Sequence, residues 1–198
     1  MAGKMIEKKK QKLASLYNAA YDLLTSNGIR NTVIDDVVKH AGVAKGTFYL
    51  YFKDKDDLVD KVIIRKTSAL INGAIGALQK TSKASPKDFR QSVIFISDYM
   101  IGSFSADKRF LELIHENLSL NLYKRLIDCE ELAFAQETFI RNYVLEGGTA
   151  ESAQKRLYII INMICSVCYN AIALEFPYTM DEIREDLYDS ISHILTAK

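Results

Sequence analysis

Apolar residues along this chain recur at spacings of three and four, the period of an α-helix, and no segment needs the alternation of a strand. Leu13, Leu16, Tyr17, Ala20, Leu23 and Leu24 define a first helix. Gly28 follows and can end it in the left-handed conformation. Ile34, Val37, Val38 and Ala41 share one side of a short helix over 34–41, which Gly42 breaks, and a second short helix fits 45–51. Asp54 is placed to cap a longer helix, with Asp57 at its third position and Leu58, Val62 and Ile63 inward. That helix can run past Arg65 toward Ile75, its far end weakened by Gly73 and Gly76.

The rest of the chain is helical in pattern too. Ser85-Pro86-Lys87-Asp88 reads as a helix start, with Ser as cap, Pro in the first turn and Asp favouring the dipole. Val93, Ile96, Tyr99 and Met100 then share a face. Leu111, Ile114 and Leu118 mark another helix, and Leu132, Phe139, Tyr143 and Val144 a further one, before the break at Gly147-Gly148. A long apolar helix covers 151–176, where Pro177 stops it. Thr179 and Glu182 form a capping box for a last helix carrying Ile183, Leu187, Ile191, Ile194 and Leu195 on one stripe. Two Pro and nine Gly in 198 residues agree with long helices. The fold class expected is all-α.

Composition excludes a mainly disordered chain, with 48% hydrophobic and 26% charged residues. Three Cys give no disulfide framework and fit a reducing cytoplasm. The basic start, MAGKMIEKKKQK, is followed by no apolar core of a secretory signal. Net charge is only +1, but it is unevenly spread. Residues 1–66 hold 13 Lys and Arg against 8 Asp and Glu, a balance of +5. Residues 67–198 hold 13 against 17, a balance of −4. This is a two-part molecule whose first part would meet any polyanion, unless the asymmetry only reflects lysines on a solvated face.

The stretch 33–52 has the spacing of a helix-turn-helix, two short helices crossing steeply over a tight turn. The turn needs a residue tolerant of positive φ, supplied by Gly42. Val37, Ala41, Val43 and Phe48 stand at intervals that lock the crossing. Short or polar residues on the outer face of the second helix, Ala44, Lys45, Gly46 and Thr47, let it enter a major groove.

The surrounding run is more specific. Ala19-Ala20, Leu23-Leu24, Gly28 and Thr32 lead into Ile34-Asp35-Asp36-Val37-Val38-Lys39-His40-Ala41-Gly42-Val43. Ala44-Lys45-Gly46-Thr47-Phe48-Tyr49-Leu50-Tyr51-Phe52 and Lys53-Asp54-Lys55-Asp56-Asp57-Leu58 follow. Over this first third the sequence resembles the tetracycline-repressor (TetR) family of bacterial transcriptional regulators. The resemblance implies a TetR-type helix-turn-helix domain over 9–69, built of three helices, and a helical effector-binding and dimerisation domain over 70–198. By the same resemblance Lys45 contacts a base edge or phosphate and Gly46 lets the backbone approach. Thr47 reaches a phosphate or base, Tyr49 and Tyr51 bond phosphates through their hydroxyls, Lys55 is a phosphate lysine, and the Thr32 hydroxyl meets the DNA backbone. Tyr49 or Tyr51 could instead bond within the domain, while Phe48 and Phe52 are core. The Lys8–Lys12 run is either a solvated helix start or an arm near phosphates.

The chain departs from the family pattern at four places. Val33 stands where a second Thr or Ser is frequent, and Val38 replaces the usual Ala. Leu50 replaces an aromatic or His and could touch a thymine methyl, and Tyr51 replaces a common His.

In the second part, 157–174 is an almost unbroken apolar run, long enough for a membrane span. Its Asn162, Ser166 and Asn170, and the ordinary amphipathic helices around it, argue instead for burial between two surfaces: the chain's own core and a second copy. No membrane partner is expected. The family resemblance implies a four-helix dimer bundle from the last two helices, with Asn170, Ile183, Leu187 and Ile191 as interface candidates; ordinary intramolecular packing is the alternative. Asn162, Ser166 and Asn170 line one stripe that faces a cavity, a seam or only neighbouring backbone. Phe95, Tyr99, Phe134, Phe139, Tyr143 and Tyr169 are candidate pocket walls, though aromatics at helical spacing are commonly core. Cys165-x-x-Cys168 lies mid-helix in apolar surroundings, the wrong place for a redox motif, and Cys129 and His115 complete no known zinc spacing. No metal and no cofactor are expected.

The expected protein is therefore a homodimeric regulator of a palindromic double-stranded operator, a repressor released by an unknown small-molecule effector. Control by a protein partner, or a helical carrier or enzyme, are the competing readings; no nucleophile–base set or phosphate loop supports an enzyme.

Overall fold

A computed structural model describes residues 2–82, 88–117 and 120–196. The described residues are helical, with no strand among them. The chain divides into two compact units, Met1–Lys66 and Thr67–Lys198.

The first unit opens with α1, Ala2–Asn31, which includes the lysine-rich start. Gly28 leaves helical geometry with φ 76° and ψ 161°, so the helix bends there before a last turn. Helix α2 is Ile34–His40. Gly42, at φ 65°, makes the turn, and nothing lies within 4 Å of where its side chain would start. The glycine is therefore required by conformation and not by space. Helix α3 is Lys45–Phe48, shorter than the 45–51 expected. The chain continues through turns closed by Leu50 N–H to Thr47 and Tyr51 N–H to Phe48. Helix α4 is Lys55–Ser82. Asp54 caps it, accepting from Asp57 N–H at 2.8 Å, while the Asp57 carboxylate accepts from Lys53 N–H at 3.1 Å.

The core of this unit is Leu16, Ala20, Leu24, Val37, Phe48, Phe52, Leu58 and Val62. Phe52 meets Tyr17 edge-on at 5.4 Å and Phe48 at 5.2 Å. Cations of α4 lie on aromatic faces of α1: Arg65 over Tyr17 at 4.5 Å and Lys66 over Tyr21 at 3.7 Å.

In the second unit, α5 is Phe89–Ala106 and its cap is Asp88, which accepts from Gln91 N–H at 2.7 Å. The Ser85, Pro86 and Lys87 start signal lies outside the described residues, as does Leu118. The buried face of α5 is Val93, Ser97, Ile101 and Phe104, rotated from the expected Val93, Ile96, Tyr99, Met100. Helices α6, Lys108–Asn117, and α7, Leu120–Ile127, follow; α7 was not expected. Helix α8 is Glu130–Leu145, burying Leu132, Phe139 and Tyr143 but leaving Val144 exposed. Helix α9, Ala150–Cys168, passes into a π-helical turn at Tyr169–Leu174 and ends at Glu175 in left-handed geometry, two residues before Pro177. Helix α10 is Met180–Thr196. Thr179 and Glu182 form the expected capping box, with Thr179 N–H and hydroxyl donating to the Glu182 carboxylate at 2.8 and 2.7 Å. Arg156 ties α8, α9 and α10 together. Its Nε donates to the Tyr143 hydroxyl, and its guanidinium donates to the Ile194 carbonyl at 2.7 Å.

Candidate nucleic-acid interface

The turn and short helix at 42–51 present several exposed residues around one buried anchor. Phe48, fully buried, anchors α3 inward, which leaves the opposite side of so short a helix to solvent. Ala44, Lys45, Gly46, Tyr49 and Leu50 are exposed, Tyr49 by 54% and Leu50 by 76%, and Thr47 is half-buried. Nothing lies within 4 Å of a side chain built at Gly46, so the backbone there is open to close approach. Lys45 stands at the first position of α3. Its ammonium pairs with the Asp35 carboxylate at 2.6 Å, which holds it above the usual lysine range. Small, aromatic and cationic groups thus line an exposed ridge from Ala44 to Leu50, the residue types that a recognition helix brings to a major groove.

Three sequence-predicted contacts are placed differently. Thr32 is buried, and its hydroxyl donates to the Gly28 and Leu23 carbonyls at 2.9 and 3.2 Å. It closes the end of α1 after the Gly28 bend, so a direct phosphate bond from this hydroxyl does not fit. The Tyr51 hydroxyl donates to the Lys9 carbonyl at 3.3 Å, taking the within-domain alternative. Lys55 donates to the Ile29 carbonyl at 3.1 Å, so it first serves the end of α1, where helix carbonyls attract a cation. Lys61 likewise binds the Tyr51 carbonyl and Asp57, both at 2.9 Å. Lys8, Lys9, Lys10 and Lys12 are exposed along α1.

The second unit sorts its candidate residues into core and surface. Phe139 and Tyr143 are buried against Phe89, with ring centroids at 5.2 and 6.4 Å. Phe95 is half-buried; Tyr99 is 38% exposed, its hydroxyl against Gly73; Phe134 is 60% exposed, which does not fit a pocket wall. Tyr169 stacks flat on His115 at 3.6 Å. Asn162 donates to the Tyr158 carbonyl at 2.8 Å, the local-backbone alternative, while Ser166 and Asn170 are exposed. Of the interface candidates on α10, Leu187 and Ile191 are buried within the chain itself, because α10 packs them on α5 and α9, and Ile183 is half-buried. Burial pushes the Cys165 and Cys168 thiols up to about 11 and about 12, so neither is reactive near neutral pH. Among the described residues no three of His, Cys, Asp and Glu gather as a metal site.

Helix α9 and the following π turn, Ala150–Leu174, are long and apolar enough to cross a membrane by length and composition, yet the chain covers only 33% of the most apolar window. Tyr158 and Ile159 are about half exposed there, and Leu174, Phe176 and Tyr178 are exposed as well. This patch was not singled out residue by residue in the sequence, since periodicity does not tell which side of an all-apolar helix is covered.

A family model described as bacterial regulatory proteins, tetR family, matches residues 16–62. The fatty acid metabolism regulator protein of Bacillus subtilis is 33% identical over 66 residues, covering 33% of this chain and 34% of that protein. The match therefore spans about a third of that relative's length. A putative TetR-family transcriptional regulator from Syntrophomonas wolfei has a TM-score of 0.68 at 19% identity, over 96% of this chain and 97% of the other. The regulator FadR of Bacillus subtilis, solved in complex with stearoyl-CoA, has a TM-score of 0.65 at 16% identity, over 93% and 98%. At these identities the likeness to the solved structures is one of fold. Residues 16–62 thus match the helix-turn-helix domain of the tetR family of bacterial regulatory proteins, and the chain as a whole is similar in fold to solved regulators of that family.

Proposed function

We propose that the chain is a homodimeric, sequence-specific DNA-binding regulator, a repressor released by a small-molecule effector. The observation that carries the reading is the exposed ridge from Ala44 to Leu50, with Lys45 at the start of α3 and Phe48 anchoring it from behind. Lys45 donates to base edges, Tyr49 to a phosphate, Gly46 admits the backbone, and Leu50 meets a thymine methyl. Thr47 and the exposed α1 lysines add contacts to the sugar-phosphate chain.

The uncovered apolar side of α9, with Tyr158 and Ile159, supports a second copy as the missing cover. Two-fold symmetry then sets two recognition helices about 34–36 Å apart on a palindrome. The effector is taken to be an acyl thioester of coenzyme A. The support is the solved FadR complex with stearoyl-CoA and the fatty acid metabolism regulator among the relatives. Helix α4 begins in the first unit and ends in the second, so a ligand that favours another tilt of α4 moves α3 out of register. It shifts the equilibrium only by its differential affinity for the two states.

Lys45→Ala is expected to weaken binding to a preferred duplex roughly tenfold or more, and Tyr49→Phe less, with the mass in solution unchanged. Fluorescence anisotropy with labelled duplex measures it; unchanged affinity in both variants contradicts the reading. Stearoyl-CoA is expected to release the duplex where free coenzyme A does not. Release only by a protein fraction would favour the protein-partner reading instead.

A further inference from the structure

The ammonium at the tip of the recognition helix does not stand by itself. Lys45 is the lysine of α3, and its Nζ lies 2.6 Å from an Asp35 carboxylate oxygen on α2. Both side chains are more than half exposed, at 52% and 68%, so the pair sits on the open ridge and not under it.

Such a pair has a consequence for a polyanion. Seen by a phosphate, the Lys45 charge is offset by the Asp35 charge a few ångströms away, so the pair adds little to sequence-independent attraction. Base edges in the major groove are different, because guanine O6 and N7 are uncharged acceptors. An ammonium has three donors; one can stay on Asp35 while two turn to the base. The carboxylate also restricts a side chain that otherwise samples many rotamers. We propose that Asp35 is a positioning residue for sequence discrimination, holding Lys45 as a base-edge donor and withholding it from bare phosphate. The proposal rests on the duplex-binding reading above.

The test uses the full chain and two probes of equal length, the duplex that the unaltered protein prefers and a random-sequence duplex, each titrated over a range of salt. Asp35→Asn keeps the shape and removes the charge. It is expected to tighten random-duplex binding, to steepen its salt dependence by about one phosphate contact, and to lower the preferred-to-random ratio about tenfold. In a Lys45→Ala background the same change is expected to leave that ratio where Lys45→Ala set it. An unaltered ratio in Asp35→Asn overturns the proposal alone. So does an equal fall in both backgrounds, since Asp35 would then act without Lys45. A protein that prefers no duplex at all overturns the proposal together with the duplex-binding reading. Thermal melting checks that the exposed substitution leaves folding intact.

Discussion

Gly148 has no room for a side chain. A Cβ built there lies 2.0 Å from Cε1 of Tyr143, whose ring is buried and whose hydroxyl is held by Arg156. The ring cannot swing aside without breaking the bridge between α8 and α9. Gly148→Ala is expected to destabilise the protein by about 1–3 kcal/mol, read as a lower urea midpoint. An unchanged midpoint would mean that Tyr143 relaxes freely. At this scale the sequence identified Gly147-Gly148 as a break but not the reason for it, because the reason is a ring five residues back. Thr32 and Lys55 are similar cases. Their residue types fit phosphate contacts, but the Gly28 bend leaves carbonyls of α1 that need donors, and these two side chains supply them. In the sequence Asp35 stands out only as part of the run that resembles the TetR motif; the structure places it in the first turn of α2. That it also faces Lys45 depends on the crossing of two helices, which spacing alone does not fix.

Helix ends were the most readable elements. Asp54 and the Thr179–Glu182 box are local signals, each written within four residues. The Glu182 carboxyl is held below its ordinary value of 4.5, first by the Thr179 N–H and then by its hydroxyl. A depressed folded-state value means stability that is present above the unfolded carboxylate range and lost as pH falls through the folded one. Glu182→Gln is therefore expected to be less stable than the parent at pH 7, with the gap closing on acidification below about pH 4. Urea unfolding across that range measures it, and a gap independent of pH would show that the cap does not depend on charge. Helix faces were less readable. Ser97 is buried in α5 because its hydroxyl returns to the Val93 carbonyl at 2.9 Å, which an apolar pattern passes over. The π turn at Tyr169–Leu174 shifts the register of the residues beyond Cys168, so a straight-helix reading misplaces Asn170 relative to Asn162. The exposed side of α9 gives the element its own prediction. Ile159→Glu is expected to leave the fold intact, as the residue is 48% exposed, and to halve the mass seen by sedimentation. A mass unchanged at two chains would exclude this side of α9 as the seam.

At the scale of the molecule, the charge division has a structural and a binding part. Of the cations in the first 66 residues, Lys55, Lys61, Arg65 and Lys66 are engaged within the unit, by carbonyls, Asp57 and aromatic faces. Lys8, Lys9, Lys10, Lys12, Arg30, Lys39 and Lys53 remain exposed, with Lys45 at the tip of α3. The bare balance of +5 therefore overstates what a duplex meets in one place and understates how narrowly it is displayed. The first third of the chain was legible because the helix-turn-helix is short and its demands on each position are strict. The second unit was legible as helices and not as a site, since its aromatic residues serve core and surface alike. The measurement that bears most directly on the whole account is selection of bound sequences from random duplex DNA by the purified full chain. Enrichment of one palindrome with half-sites about one helical turn apart is expected. Recovery of unenriched, random sequence would contradict it.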